Sequence, residues 1–162
     1  MKSDIELDQI ALRILRLLQE DATISVVELA DRVGASSASC WRRIKAMEAA
    51  GYFKKTVRLV DPARLGRSVN VLCNVRMKSH DPTVRLPFET YVQRQPEIVE
   101  VFSMSGDWDY LLRVVAEDVQ GYNAFLMQKL LTHPSVAAAS SHFALEMVKY
   151  STAIPVVTSI PK

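Results

Sequence analysis

Hydrophobic residues recur every three to four positions in the first third of the chain, and polar breaks separate the periodic stretches. The stretch Leu7–Leu18 has the spacing of an amphipathic helix and predicts one that ends near Glu20. Ser25, followed three residues later by a glutamate, has the pattern of a capping box and predicts a second helix over Val26–Val33. Gly34 is expected to end this helix, because glycine readily adopts the left-handed conformation of a helix C-terminus.

A third helix is predicted over Ser37–Ala50, between an N-cap at Ser36 and a helix end at Gly51. Its apolar stripe includes Cys40, whereas its other side carries hydroxyl groups and arginines. Two short helices joined by a tight glycine-containing turn are typical of a helix-turn-helix, whose second helix enters the major groove of DNA. The same geometry also occurs in helical bundles that bind no nucleic acid.

After residue 66 the pattern changes to strand-like stretches, which proline and glycine separate. The predicted order is strand, helix, strand, strand, helix, strand. This is the ferredoxin-like βαββαβ arrangement, an antiparallel sheet with helices on one face. The predicted elements are a strand over Val69–Met77, a loop bounded by Pro82 and Pro87, a helix over Phe88–Gln95, strands over Ile98–Met104 and Tyr110–Ala116 joined by a turn at Gly106-Asp107, a helix over Asp118–Leu131 and a strand over Val136–Val148.

These patterns predict an α+β protein with three parts. They are a winged helix-turn-helix domain at residues 1–58, a hinge at 59–68 and a ferredoxin-like domain at 69–162. One face of the predicted sheet has no helices over it and would carry apolar residues. Because small domains bury little surface alone, pairing of two such faces across a two-fold axis predicts a homodimer.

Composition excludes several classes of protein. Residues are 49% hydrophobic and 23% charged, which is ordinary globular usage and excludes a disordered or collagen-like chain. No apolar run reaches the roughly 18 residues of a membrane span, and the charged N-terminus lacks the apolar stretch of a signal peptide. Cys40 and Cys73 are too few for a disulfide framework. We therefore expect a cytoplasmic protein with reduced thiols and no membrane contact.

The sequence predicts neither an enzyme nor a cofactor or metal site. His80, His133 and His142 lack the spacing of metal ligands, and the motifs of serine hydrolases, P-loops and dinucleotide-binding folds are missing from the sequence. An acid–base pair would still form if Asp107 or Asp109 met His142 in the fold.

The charge of the chain is concentrated in one short stretch. The net charge is +2, but residues 36–58 contain six lysines and arginines against one glutamate. A basic patch on a helix-turn-helix indicates a polyanionic partner, here double-stranded DNA, although such runs are often only solvated helix faces. The alternative is a ligand-binding or oligomerising module with a non-functional helix-turn-helix. The candidate DNA-binding residues are Ser36, Ser37, Ser39, Trp41, Arg42, Arg43, Lys45, Lys54 and Lys55.

Several motifs, in order along nearly the whole chain, resemble the Lrp/AsnC family of leucine-responsive or feast/famine regulators. The resemblance implies a transcriptional regulator that forms dimers, often tetramers of dimers, and whose DNA binding or assembly responds to a small amino acid. Cys40–Arg42 together with Lys149–Ala153 is similar to a branch that includes cysteine-responsive regulators. The motifs are Leu7–Leu15, Ile24–Ala30, Ser36–Ile44 (which is similar to Ser-Pro-x-x-Cys-x-Arg-Arg-Val, with Ser37 in place of the proline), Met104–Val114 (which resembles a Gly-Asp-Tyr-Asp-Tyr turn) and Ser140–Glu146 (which resembles the last strand).

The turn after residue 103 is the candidate site for that amino acid. Its free backbone amides can bind the carboxylate of a zwitterion, and its two aspartates can bind the ammonium group. The alternative is a plain hairpin turn whose aspartates cap the local backbone. The expected function is sequence-specific regulation of transcription in amino-acid metabolism. With the resemblance, which places the effector near this turn, the candidate effector-binding residues are Met104, Gly106, Asp107, Trp108, Asp109, Ser140 and Ser141.

Overall fold

The computed structural model describes residues 5–156, which form two compact units. The helical unit contains the chain up to Arg58 together with the segment that begins at Lys149, and the β unit is Leu59–Val148. This grouping places the C-terminal segment with the helices, whereas the sequence assigns it to the domain at 69–162. Residues 1–4 and 157–162 of the predicted domains lie outside the described residues.

Three capped helices make up most of the helical unit: α1 (Gln9–Glu20), α2 (Val26–Val33) and α3 (Ser37–Ala50). The predicted bounds of α2 and α3 are confirmed. α1 begins two residues after the predicted start, because Asp8 is its N-cap and accepts a 2.7 Å hydrogen bond from the Ala11 amide. Ser25 caps α2 at 3.1 Å, but Glu28 binds Arg32 at 2.6 Å and does not close the capping box.

The helical unit packs around one apolar core. Ile14 of α1, Leu29 of α2 and the pair Cys40 and Met47 of α3 are fully buried there. Each helix therefore places its apolar stripe inward, as the periodicity predicts. The residues Tyr52–Asp61 that follow α3 form neither helix nor strand, so the predicted wing has no β structure within residues 5–61.

The β unit has the predicted ferredoxin-like order of elements, with all strand pairs antiparallel in the order β2-β3-β1-β4. One face packs against the helices around Val71, Cys73, Phe88 and Leu112, all fully buried. No helix among residues 5–156 has the length and hydropathy of a bilayer span. The elements are β1 (Val69–Met77), α4 (Pro82–Val92), β2 (Ile98–Ser103), β3 (Tyr110–Ala116), α5 (Val119–Phe125), a π-helical turn (Leu126–Leu130) and β4 (Val136–Ala144).

The predicted loop at residues 82–87 is wrong, because these residues are the first half of α4. Asp81 caps this helix by accepting a 2.8 Å bond from the Thr83 amide, and Pro82 occupies the first turn, where a missing N–H costs nothing. Pro87 removes one hydrogen bond inside the helix. The helix continues past it because Phe88 packs into the core.

The predicted end of the last strand is also wrong. β4 ends at Ala144, four residues before the predicted end at Val148. Among residues 5–156 it is hydrogen-bonded to one strand, β1, and Ala144 pairs with Asn70, the second residue of β1. The ladder ends there because β1 offers no partner beyond Val69.

Candidate DNA-binding and effector-binding sites

α3 presents an exposed polar and aromatic surface away from the core. Trp41 is 56% exposed, and Arg42 and Lys45 are also exposed. Lys45 forms a 2.6 Å ion pair with Glu48, whereas Arg42 has no ion pair within the described residues. An exposed aromatic ring beside an unpaired guanidinium in the second turn of a recognition helix suits contact with base edges.

The remaining candidates for DNA contact precede or follow these residues in the sequence. Ser36 is exposed but its hydroxyl caps α3, accepting a 3.2 Å bond from the Ser39 amide, and Ser37 is half-buried in the first turn. Lys54 and Lys55 are exposed in the segment after α3. Their positive charges suit phosphate groups, which position a protein on DNA without reading its sequence.

Arg43 is held in a contact between α3 and α1. Its Nε lies 3.1 and 3.0 Å from the two carboxylate oxygens of Asp8, and Nη2 lies 2.5 Å from one of them. Its Nη1 also donates to the Ser39 hydroxyl. The guanidinium is therefore occupied by the N-cap of α1, and this geometry favours a positioning role for Arg43 over a direct DNA contact.

The Asp8–Arg43 pair leads to a prediction about stability and pH. Arg43, followed by the Ala11 amide, lowers the pKa of the Asp8 carboxyl, so the ionised form stabilises the fold. This stabilisation is present above the unfolded-state pKa and is lost as the pH falls through the lower folded-state pKa. Asp8→Asn keeps a good N-cap and removes the charge, so we expect about 0.5–1 kcal/mol of destabilisation at pH 7.

Urea unfolding at pH 7 and at pH 3 measures this difference. We expect the two proteins to converge at the lower pH. Asp31→Asn is the matched control, because Asp31 is exposed on α2 and has no ion pair within the described residues. Equal destabilisation by both substitutions, or a difference that is the same at both pH values, would contradict the prediction.

The candidate effector turn joins β2 to β3 and is fastened to the end of β1. Asp109 Oδ2 accepts a 2.7 Å bond from the Met77 amide, and Oδ1 lies 3.2 Å from His80 Nδ1. Gly106 has a φ of +109°, which a side chain would strain, so the tightness of the turn requires glycine here. The Asp109 carboxylate therefore joins the turn to the end of β1 and to the residues that follow it.

Arg76 holds the middle of the same turn. Its Nε donates to the Asp107 carbonyl at 3.1 Å, and its guanidinium lies 4.8 Å from the centre of the Trp108 ring. The second contact has the geometry of a cation–π interaction. Asp107 is thus held through its backbone, and its side chain is exposed.

A cavity of about 200 Å³ lies beside the turn. Three of the predicted effector residues line it, namely Met104, Gly106 and Asp109, and it contains both apolar and charged groups. Neither Asp107 nor Trp108 lines it. The other lining residues are Met77, Ser79, His80, Arg85, Ser103 and Tyr110.

The structure does not bring Ser140 and Ser141 to this cavity. Ser140 pairs with Asn74 on the sheet face without helices, and its hydroxyl lies 3.3 Å from His142 Nε2. Ser141 pairs with Cys73, and its hydroxyl is bonded to the Tyr122 hydroxyl between the sheet and the helices. The two serines therefore point to opposite faces of β4, as neighbours in a strand must.

Sequence reasoning missed the one arginine that lines this cavity. Arg85 lies on α4, at the stretch predicted to be a loop, so no position could be assigned to it. Arg85 Nη1 and the Tyr110 hydroxyl donate to the same oxygen of Glu89, at 2.9 and 2.7 Å. Burial and the Glu89 carboxylate raise the pKa of Tyr110 to about 12, so it stays a neutral donor. The Asp81-Pro82 pair, an N-cap followed by proline, was the signal that could have placed this helix.

The fold also separates His142 from Asp109, which the sequence left open as an acid–base pair. His142 pairs with Leu72 across the strands, whereas Asp109 is bonded to the backbone of Met77. Leu72 and Met77 are five residues apart along β1, which is about 16 Å in an extended strand. The two side chains therefore do not form a catalytic pair.

Comparison with known proteins agrees with both halves of this architecture. Residues 7–54 match the family model described as winged helix-turn-helix DNA-binding, and residues 70–154 match that of the Lrp/AsnC ligand binding domain. The leucine-responsive regulatory protein of Escherichia coli K12 is 35% identical over 94% of this chain and 93% of its own length.

Two solved structures are also similar over almost the full length. An AsnC family transcriptional regulator from Agrobacterium tumefaciens is 42% identical with a TM-score of 0.86, covering 91% of this chain and 96% of its own. A transcriptional regulator from Neisseria meningitidis, crystallised as an L-Met complex, is 31% identical with a TM-score of 0.90, covering 93% and 97%. On the matched family models, the shared sequence and the shared fold together, this chain belongs to the Lrp/AsnC family of DNA-binding transcriptional regulators.

Proposed function

We propose that this regulator senses a small amino acid in the cavity beside the 104–109 turn, and that the amino acid controls sequence-specific binding of double-stranded DNA by α3. The observation that carries the proposal is the pairing of charges in that cavity. The Arg85 guanidinium and the Asp109 carboxylate both line it. A free amino acid has an α-carboxylate that can pair with the guanidinium and an α-ammonium group that can pair with the carboxylate.

The cavity also limits the size and chemistry of the ligand. Its volume of about 200 Å³ lies below the 300–1,000 Å³ typical of sites for drug-sized ligands. The thioethers of Met77 and Met104 offer adaptable apolar contact for a side chain. The L-Met complex of the Neisseria regulator supports an amino acid as the class of ligand. These features do not single out cysteine, and the resemblance to cysteine-responsive regulators stays a prediction.

DNA recognition is assigned to the exposed side of α3. Trp41, Arg42 and Lys45 would face the bases, and Lys54 and Lys55 would contact phosphates. The absence of an ion pair at Arg42 within residues 5–156 supports this role, because a free guanidinium is available for guanine or phosphate. We assign the protein to the cytoplasm and its targets to genes of amino-acid metabolism, in keeping with its family.

Two measurements test this function. A thermal shift screen against the twenty amino acids at millimolar concentration should show stabilisation by at least one, since a ligand at one hundred times its Kd adds about 2.7 kcal/mol. A gel shift on DNA from the protein's own promoter region should show binding that changes when that amino acid is added. DNA binding without any effect of an amino acid would contradict the sensor. An amino-acid effect without DNA binding would favour the module with a non-functional helix-turn-helix.

A homodimer through the sheet face without helices is part of the proposal. Leu72, Phe102 and Leu111 point to this face by strand alternation and register, around the ion pair between Arg113 and Glu100. Leu72 is 39% and Phe102 51% exposed, so the face carries apolar surface that a second copy would cover. Further assembly into a tetramer of dimers follows the family expectation.

Leu72→Lys is expected to convert the dimer to monomers at micromolar concentration, because it places a second cation beside Arg113 in the centre of the face. Sedimentation velocity measures the result. Val119→Lys is the matched control, since Val119 is 58% exposed on α5, away from the sheet. A Leu72→Lys protein that stays dimeric would contradict this interface.

A further inference from the structure

The C-terminal segment at residues 151–156 lies along α1 within the helical unit. The side-chain amide of Gln19 binds both backbone groups of Ile154: its Oε1 accepts from the Ile154 amide at 2.8 Å, and its Nε2 donates to the Ile154 carbonyl at 3.2 Å. One side chain thus supplies the pair of bonds that a neighbouring strand would supply. Recognition of this kind selects an extended backbone.

Two further bonds join the same elements. The Thr152 hydroxyl donates to the Gln19 carbonyl at 3.1 Å, and Arg16 Nη2 donates to the Val156 carbonyl at 2.9 Å. Gln19 lies in the last turn of α1, where carbonyl groups have no partner inside the helix. The C-terminal segment therefore satisfies an acceptor that the helix leaves free.

The contact is apolar as well as hydrogen-bonded. A groove of about 260 Å³ runs between the segment and the helices, and the Gln19 amide and the Tyr52 hydroxyl are the polar side-chain groups among its described lining residues. Such a groove favours an extended peptide with apolar side chains. Its lining residues on the helical side are Leu7, Leu12, Leu15, Tyr52 and Phe53, and those of the segment are Ile154, Pro155 and Val156.

We propose that the C-terminal segment, docked on α1 by these hydrogen bonds and by the apolar contacts beside the groove, gives the helix-turn-helix unit a second connection to the β unit. The first connection leaves the helical unit at Arg58, and the second returns to it at Lys149. The returning stretch follows β4 directly, and Leu145 and Val148 in it are 99% and 90% exposed. The bonds to Gln19 and Arg16 hold its far end.

A second connection changes what the DNA-binding unit can do. A unit joined by one linker samples many orientations, and fixing a second point removes much of that freedom. In a dimer, the two recognition helices would then meet only half-sites near one spacing, because successive major grooves recur every 10–10.5 base pairs. The docked segment therefore narrows the range of half-site spacings that the regulator accepts.

Hydrogen exchange tests the docking directly and needs neither DNA nor an amino acid. The Ile154 amide should exchange at least tenfold more slowly in the full chain than in a peptide of residues 149–162. Gln19→Ala should remove this protection. Gln9→Ala, the same change in the first turn of α1, should keep it, since Gln9 is exposed and its side chain has no hydrogen bond within the described residues.

Exchange at the rate of the free peptide would overturn the docking, and equal protection in both variants would overturn the assignment to Gln19. Either failure would leave the proposed sensing of an amino acid untouched.

The spacing role is tested on operators selected with the full chain, after insertion of five base pairs between the half-sites. We expect the insertion to weaken binding of the full chain at least tenfold and to weaken binding of Gln19→Ala and of a chain ending at Val148 less than threefold. Gln19→Ala keeps the test valid if the shortened chain fails to fold. An equal loss in all three proteins would overturn the role of the second connection.

Discussion

Replacement of Arg42 by alanine is expected to lower the affinity for a selected operator by about 10- to 100-fold, or roughly 1.4–2.8 kcal/mol. Arg42 lies in the second turn of α3, is exposed and has no ion pair within residues 5–156. A guanidinium in this position can bind guanine O6 and N7 with two parallel hydrogen bonds, and its removal leaves those acceptors unpaired. The substitution should leave the stability of the fold nearly unchanged, because the Arg42 side chain lies outside the core.

Fluorescence anisotropy at several salt concentrations measures this loss and separates two roles for Arg42. If it reads a base, the loss falls mainly on the selected operator; if it contacts phosphate, the loss is uniform across sequences and the salt dependence becomes shallower. Arg13→Ala is the matched control, since Arg13 is an exposed arginine on α1 with no ion pair within the described residues. Equal operator affinity in Arg42→Ala and the unsubstituted protein would remove Arg42 from the interface.

Arg85→Ala is expected to weaken binding of the effector amino acid by about 10- to 100-fold, with little change in DNA affinity in its absence. A hydrogen bond to a charged group contributes about 1.5–3 kcal/mol, and Arg85 is the one arginine that lines the described cavity. Its Nη1 bond to Glu89 occupies only part of the guanidinium, so its other donors remain free for the α-carboxylate of a ligand.

Isothermal titration calorimetry with the amino acid found in the thermal shift screen measures this change. Arg94→Ala serves as the control, because Arg94 is exposed just beyond α4 and does not line the cavity. Asp107→Ala should also bind nearly as well as the unsubstituted protein, because the Asp107 side chain does not line the cavity. Unchanged affinity in Arg85→Ala would place the carboxylate of the effector elsewhere.

Local signals in the sequence were sufficient for α2, α3, β1 and β3. Each of these elements has its own periodicity, and both helices also have a cap at one end and a glycine at the other. The first half of α4 was missed because two prolines were treated as breakers, although one of them begins the helix and core packing at Phe88 outweighs the other. The end of β4 depends on where β1 begins. The paired residues of the two strands are 59 or more positions apart in sequence, so no local pattern indicates where β4 stops.

The candidate sites were predictable only in part, for a similar reason. The exposure of Trp41 and Arg42 follows from helical periodicity, so the recognition surface could be proposed from sequence. The hydrogen-bonded ion pair between Arg43 and Asp8 joins residues 35 positions apart, and a periodic pattern in the sequence does not predict such a pair. In the same way, Ser140 and Ser141 were grouped as neighbours in sequence, although strand alternation places them on opposite faces.

Each unit contains one of the two cysteines, and both thiols are fully buried. Burial also raises the pKa of the Cys73 thiol, so little reactive thiolate is present in the native fold. A thiol reagent can therefore reach Cys40 only when the helices open and Cys73 only when the sheet opens. Timed alkylation followed by peptide mapping would report the opening free energies of the two units separately, in one sample and without any introduced label.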